Sequence, residues 1–392
     1  MTDSVSAAGT VIKSAEALQK ARALRPLLRA HASDCEAARR LTEPVVTALT
    51  EAGMFRLWLP GRYGGTQAGA RTLVEVVAAL AEGDGSAAWV TSHIAVGTWL
   101  AAQFPEPARS ELLAHPNVRI TGVLAPTAQA RPVPGGWRVT GRWPYNSGGP
   151  ISTHVMLGSL LADDTGRTTS QAACAIPVED IVFEDTWHVL GMRGTASSTA
   201  TATDLFVPEG KVVPMHELVG PLDQDAGAPL MPFLLLAILS PQLGMGRAAL
   251  AHVLAHAPDK PVPGTFYDTQ AESVAFQLHV AEAAVKIETA EALALRIADE
   301  LDVATENATL LSFADRARTR ALVSRAVTEV VDAVTLLATA HGAGGFADSS
   351  PFQRIWRNVN MAARHMNASP AVAHETYGKS LLGRPERAAR TV

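Results

Sequence analysis

Two short stretches hold side chains whose types and spacing allow shared chemistry. In "TWHVLGMRGTASS", from Thr186, an aromatic ring, two glycines and four hydroxyls surround one fixed cation, Arg193. Such a set makes a wall for a flat polar ring: Trp187 stacks on it, and Thr195 or Ser197 donates hydrogen bonds. An ordinary polar hairpin loop has the same composition, so spacing alone leaves both readings open. In "HGAGGFADSSPFQRIWRN", from His341, three glycines permit close backbone approach to a ligand. Ser350 and Pro351 form an N-cap and first-turn pair for a new helix, whose free N–H groups suit an anionic group. A plain helix–turn–helix connection reads the same way.

Other signals carry less. "LGMGRA" holds Gly244 and Gly246 but follows an apolar helical run rather than a strand, so it predicts close helix packing instead of a dinucleotide loop. His252 and His256 have the i, i+4 spacing of helix-borne metal ligands, yet no third ligand is evident and no metal is expected. Neither a nucleophile elbow nor a P-loop occurs.

The elements that must position these residues change character twice. Residues 1–116 read as helical: Thr42 and Pro44 open a helix, and "RTLVEVVAALAE" and "GSAAWVTSHIAVGTWLAAQF" are apolar helices. Residues 117–215 read as strands. "PVPGGWRVTGRW" places a Pro-Gly-Gly turn ahead of alternating Trp137, Val139, Gly141 and Trp143, and "STATATDLFVP" stops at Pro208. Residues 216–392 return to a helical period. Val323, Val327, Val330, Val334 and Leu337 make one apolar stripe, and Val274, Leu278, Ala281 and Val285 predict a second, core-facing one. The expected class is α+β, mostly α.

Composition bounds the function. A chain of 392 residues exceeds the ~250–300 at which single cores stop growing, which predicts two or three packed units. A net charge of -5 without basic runs disfavours nucleic acid and anionic membrane as partners. The start lacks a secretory pattern, and "LMPFLLLAILS" is 11 residues long, which predicts a buried helix rather than a span. Cys35 and Cys174 alone build no disulfide framework. A soluble cytoplasmic protein is expected.

"GWRVTGRWPYNSGG", "LGMRGTASS" and "GAGGFADSSPFQRIWRN", in that order, resemble the acyl-CoA dehydrogenase-fold flavoenzymes over nearly the whole chain. The resemblance implies an N-terminal helical domain, a central β-barrel-like domain and a C-terminal four-helix bundle, as a homotetramer. It places Ser147 beside flavin N5 and Trp187 along the flavin. Gly344 and Gly345 then approach the cofactor tail, with Arg193, Thr195 and Arg354 among the cofactor-binding residues. Acyl-CoA dehydrogenases keep a catalytic glutamate where this chain has Met366, inside "IWRNVNMAARHMNASP". No compelling substitute occurs in the sequence, and the pattern alone leaves Glu272 and Glu282 open.

Without that base, α-proton removal from a thioester is hard. The segment instead resembles the two-component flavin monooxygenases, the branch with the oxygenase component of p-hydroxyphenylacetate hydroxylase and dibenzothiophene monooxygenase. That branch takes reduced flavin, FMN here or else FAD, from a separate NAD(P)H:flavin reductase. With O2 it forms a C4a-hydroperoxide that oxygenates a small aromatic substrate. The resemblance makes His365 and His93 proton-handling residues beside Ser147, with Trp89, Trp99 and Met366 along the substrate pocket. An acyl-CoA dehydrogenase-like FAD oxidase, an amine N-oxygenase and a non-enzymatic helical interaction protein are the alternatives. A bundle arginine that grips the flavin tail in relatives has only Lys260 as a counterpart in "APDKPVPGTFYD".

Overall fold

The computed structural model describes residues 14–115, 117–219, 226–227 and 230–384. Five helices come first: α1 (Ser14–Ala38), α2 (Glu43–Glu51), α3 (Ala70–Ala81), α4 (Gly85–Ala101) and α5 (Ala108–Leu113). α4 is apolar around its whole circumference and is accordingly buried on nearly every side. Asp84 starts it, its Oδ2 accepting from the Ala87 N–H at 2.9 Å.

Seven strands follow: β1 (Ile120–Val133), β2 (Gly136–Trp143), β3 (His154–Ala162), β4 (Thr168–Pro177), β5 (Val182–Glu184), β6 (Thr199–Pro208) and β7 (Val212–Pro214). They form one sheet in the order β5-β6-β2-β1-β3-β4-β7. All neighbours are antiparallel except β1 and β3, which run parallel. The β1–β2 hairpin turns at Gly135, whose φ of 80° is open to glycine without strain. Val139 and Trp143 of β2 are fully buried, and Trp143 Nε1 donates to the Gly158 carbonyl at 2.7 Å.

The chain then returns to helix: α6 (Met215–Val219), α7 (Leu230–His256), α8 (Val274–Glu306), α9 (Phe313–His341), α10 (Pro351–Ala362) and α11 (Pro370–Leu381). α9 packs against α7, α8 and α11, and α3 lies along α7. The N- and C-terminal helices share one continuous apolar core, while the sheet keeps a second of its own around Trp143. Gly244 belongs to the packing between α3 and α7: a Cβ there would stand 2.0 Å from the Ala78 carbonyl oxygen.

Two expectations change. The run from Leu230 is part of a 27-residue helix that continues through Gly244 and Gly246, where it packs closely against α3, α8 and α9. The stretch Met231–Asp259 is long and apolar enough to cross a membrane, yet 72% of its most apolar window is buried inside the fold. On α8 the expected core stripe faces outward: Val274, Leu278 and Val285 are exposed. The buried face carries Phe276, Ala283, Ile287, Ala290, Ala294, Ile297 and Leu301. Alanines on this face let α8 approach its neighbours closely, which the pattern of larger residues does not reveal. The stripe on α9 does point inward at all five positions.

Candidate active site

Four of the expected residues meet in one place. Trp89 and His93 sit one turn apart on α4 with their rings stacked, centroids 4.7 Å apart and planes 26° from parallel. The His365 ring lies 5.9 Å from the Trp89 ring. Trp89 Nε1 donates to Ser147 Oγ at 3.2 Å. Ser147 is 6% exposed, in the turn after β2.

His365 lies past the end of α10 and not on it in line with Arg357 and Met361. α10 ends at Ala362, and its last turn tightens through Arg364 N–H to Met361 O and His365 N–H to Ala362 O. His365 then opens a 3-10 turn that leads into Pro370, the start of α11. Its Nδ1 accepts from the Asn367 N–H at 3.3 Å. In the neutral ring this leaves the proton on Nε2, a free donor. His93 is the opposite tautomer. Its Nδ1 faces the Trp89 carbonyl oxygen at 2.9 Å, and since a carbonyl only accepts, Nδ1 carries the proton and Nε2 keeps a lone pair. Burial pushes both rings down, to about 4, with the neighbouring His93 as a second cause for His365. Both are therefore uncharged near pH 7, one offering an acceptor and the other a donor.

The loop expected to wall a flat ring attaches to this cluster through hydroxyls. Ser147 Oγ is 2.7 Å from Ser197 Oγ, which is 2.6 Å from Thr195 Oγ1. Thr195 Oγ1 donates to the Met192 carbonyl at 2.8 Å, and Trp187 Nε1 donates to the same oxygen at 3.0 Å. The Met192 N–H in turn donates to Oδ1 of Asn358 on α10 at 2.6 Å. Tyr145, Met192 and Ala196 all hold positive φ (66°, 54° and 49°), conformations that cost non-glycine residues roughly 1–3 kcal/mol each. Backbone bonds from Gly148 N to Thr195 O (2.8 Å) and from Asn146 N to Ser198 O (3.2 Å) hold the two turns against each other. Thr121 Oγ1 donates to the Ser147 carbonyl at 2.8 Å from β1.

Arg193, in the same loop, is half-buried. Its Nε is buried without a hydrogen-bond partner, and it lines a cavity of about 540 Å³ with Leu190, Phe346, Trp356 and Arg357. An unpartnered buried guanidinium nitrogen is a place for a ligand acceptor.

The remaining expected residues lie elsewhere in the chain. Gly345 packs against the His341 ring and Phe352, and Gly344 faces Lys260, whose Nζ donates to the His341 carbonyl. Arg354 reaches α1, at 2.7 Å from Ser33 Oγ and 3.8 Å from Glu36, so its bonds here brace two helices. Trp99 packs against Phe233 of α7 and not against His93, because six residues carry it to another level of α4. Met366 is 71% exposed, turned outward by the 3-10 turn that His365 opens. Glu272 accepts from the Asp268 N–H in its own turn. His341 brings its ring within 5.2 Å of His252 and 5.8 Å of His256, yet no metal-holding group of three side chains occurs among the described residues.

Sequence reasoning missed Asn358, Met192 and Thr121. Asn358 left a signal, a polar residue on the inner face of α10 between Trp356 and Val359; a backbone carbonyl such as that of Met192 leaves none.

Residues 13–111 match the acyl-CoA dehydrogenase N-terminal domain, and residues 236–370 match the C-terminal domain. The chain is 32% identical over 381 residues to the flavin-dependent monooxygenase oxygenase subunit HsaA of Rhodococcus jostii (strain RHA1), covering 94% of this chain and 98% of the relative. It is 30% identical to the oxygenase component of the FADH(2)-dependent resorcinol hydroxylase of Rhizobium sp. (strain MTP-10005), over 91% of each. XiaF from Streptomyces sp., solved in complex with FADH2 and glycerol, superposes with a TM-score of 0.90 at 32% identity, covering 94% of this chain and 96% of that one. With the fold shared over 94% of its length, the chain belongs to the acyl-CoA dehydrogenase-like family of flavin-dependent monooxygenase oxygenase components.

Proposed function

We propose that this chain binds a reduced flavin, delivered by a separate NAD(P)H:flavin reductase, and uses O2 to hydroxylate a small aromatic substrate in the cytoplasm. The observation that carries the reading is the convergence of Trp89, His93, Ser147 and His365 from three separate parts of the fold. The residues present fit a flavin. Ser147 Oγ keeps a lone pair for a ring N–H, Trp187 and Tyr145 meet edge to face at 6.1 Å beside it, and Arg193 offers an unpartnered nitrogen.

The bound reduced flavin supplies the electrons that activate O2. The chain's own contribution is positional. His93 Nε2 accepts the hydrogen bond of a phenolic hydroxyl and holds the ring in place. His365 Nε2–H donates toward the oxygen being transferred. Burial keeps both imidazoles neutral, so neither repels a cation nor traps an anion before the reactants arrive. The apolar wall of α4 excludes water, which protects reactive species from loss.

Reduced FMN was the expectation from the sequence. Two relatives at 30% identity or more specify FADH2 in their names, which favours FAD. The outward stripe of Val274, Leu278 and Val285 on α8 supports assembly into the homotetramer expected from the resemblance.

The test mixes the protein anaerobically with chemically reduced FAD or FMN, then with O2 and a panel of small phenols, and measures hydroxylated product. Product with at least one phenol is expected. Peroxide alone with every phenol, at the rate of free flavin, rejects the reading.

A further inference from the structure

The hydroxyls beside the site do not point at random. Trp89 Nε1 can only donate, so Ser147 Oγ accepts from it. At the other end the Met192 carbonyl can only accept, so the single proton of Thr195 Oγ1 goes there. Thr195 must then accept from Ser197, whose proton is thereby committed. Ser197 must in turn accept from Ser147. By elimination the order is Trp89 to Ser147 to Ser197 to Thr195 to Met192, with every proton assigned. Ser147 has no proton left to offer a ligand and one lone pair left to receive one.

We infer that Ser197 and Thr195 are specificity-determining residues for the oxidation state of the flavin. By holding the Ser147 hydroxyl as an acceptor, they favour a ring that presents N–H at that point. Reduced flavin does so at N5; oxidised flavin has a lone pair there and meets another lone pair. The inference rests on the flavin reading above. It explains how an oxygenase component that takes flavin from solution avoids filling with the oxidised form. The Met192 carbonyl can serve as the anchor because Asn358 holds its N–H and two positive-φ residues bracket the turn.

The experiment measures dissociation constants for oxidised FAD and for anaerobically reduced FAD, by absorbance or fluorescence titration, without turnover. Wild type is expected to bind the reduced form more tightly. In Ser197→Ala the Ser147 proton loses its acceptor and is free to turn toward the ligand. The ratio of the two constants should then fall about threefold to tenfold, the worth of one net hydrogen bond. Thr195→Val, which keeps the shape, should lower the ratio in the same direction, and Thr195→Ser should restore it. Melting temperatures of all variants are recorded alongside. Three results overturn the inference while leaving the flavin reading intact: equal affinities in wild type, an unchanged ratio in both Ser197→Ala and Thr195→Val, or a Thr195→Ser ratio as low as that of Thr195→Val. Wild type that binds neither redox form overturns the flavin reading itself, and the inference with it.

Discussion

The indole nitrogen of Trp89 stands 3.2 Å from Ser147 Oγ, across 58 residues of chain. The same ring stacks on His93. One side chain thus fixes both an imidazole on α4 and a hydroxyl in the turn after β2, and it is the joint between the helical part of the site and the sheet part.

Trp89→Phe separates the two tasks. Phe keeps a ring against His93 and loses the N–H, so stability should fall by about 0.5–1.5 kcal/mol. Trp89→Ala also leaves a cavity and should cost about 3–5 kcal/mol. Urea denaturation of both variants checks this; equal losses would mean that the ring itself contributes nothing by packing.

His365→Ala should bind flavin as wild type does but release more hydrogen peroxide per product formed. Positioned acid–base groups typically contribute about 10²–10⁴-fold, so product formation should drop at least tenfold. Met366→Leu should change coupling little, since Met366 is largely exposed. Product and peroxide are measured together for both. Wild-type coupling in His365→Ala would reduce the histidine to packing.

Stability should fall as the solution is acidified from pH 6.5 toward 4. His93, His252, His341 and His365 all have folded values lowered from 6.5 to about 4, chiefly by burial. The unfolded chain binds these protons first, so the stabilisation is complete above 6.5 and is lost as pH falls through the folded values. For His93 and His365, linkage makes this on the order of 1–3 kcal/mol each. Asp84, raised by burial to about 6, acts in the opposite sense, but it is one group against five, since burial lowers His154 as well. Thermal melts across this range should show a falling midpoint, and His93→Gln with His365→Gln should flatten the slope. An equally steep slope in the double variant would assign the effect to other groups.

Gly191→Ala should separate the loop from α10. A Cβ at Gly191 would lie 2.2 Å from the Arg357 carbonyl oxygen and 2.5 Å from its carbon, both backbone atoms that cannot turn aside. Overpacking of this kind costs typically about 1–3 kcal/mol. It should also weaken flavin binding, because Met192, the next residue, loses its register with Asn358. A variant within about 0.5 kcal/mol of wild type would show that the loop has room to shift.

The order helices, sheet, helices was legible from periodicity, since burial of one face forces period 3.6 on α9 and near-alternation on β2 and β6. Ser350 and Pro351 marked the start of α10 because capping is a local interaction, set by neighbours in the chain. The glycine loop and Thr195 could be named from residue type, whereas Ser147, His93 and His365 came only from the resemblance to the flavoenzyme family. What periodicity could not decide was the facing of α8, where the core side is built from alanines that let helices come close and the larger apolar residues point out. Nor could it show that α10 stops at Ala362 and turns His365 back toward Trp89 while Met366 faces solvent. Those outcomes depend on where Pro370 must begin the next helix and on which groups are buried together. The direction of the hydroxyl chain and the opposite tautomers of His93 and His365 depend on more distant partners still. A proton's position is set by the acceptor it faces, and Trp89, Ser147, Ser197 and Met192 face one another only after the helices and the sheet have packed.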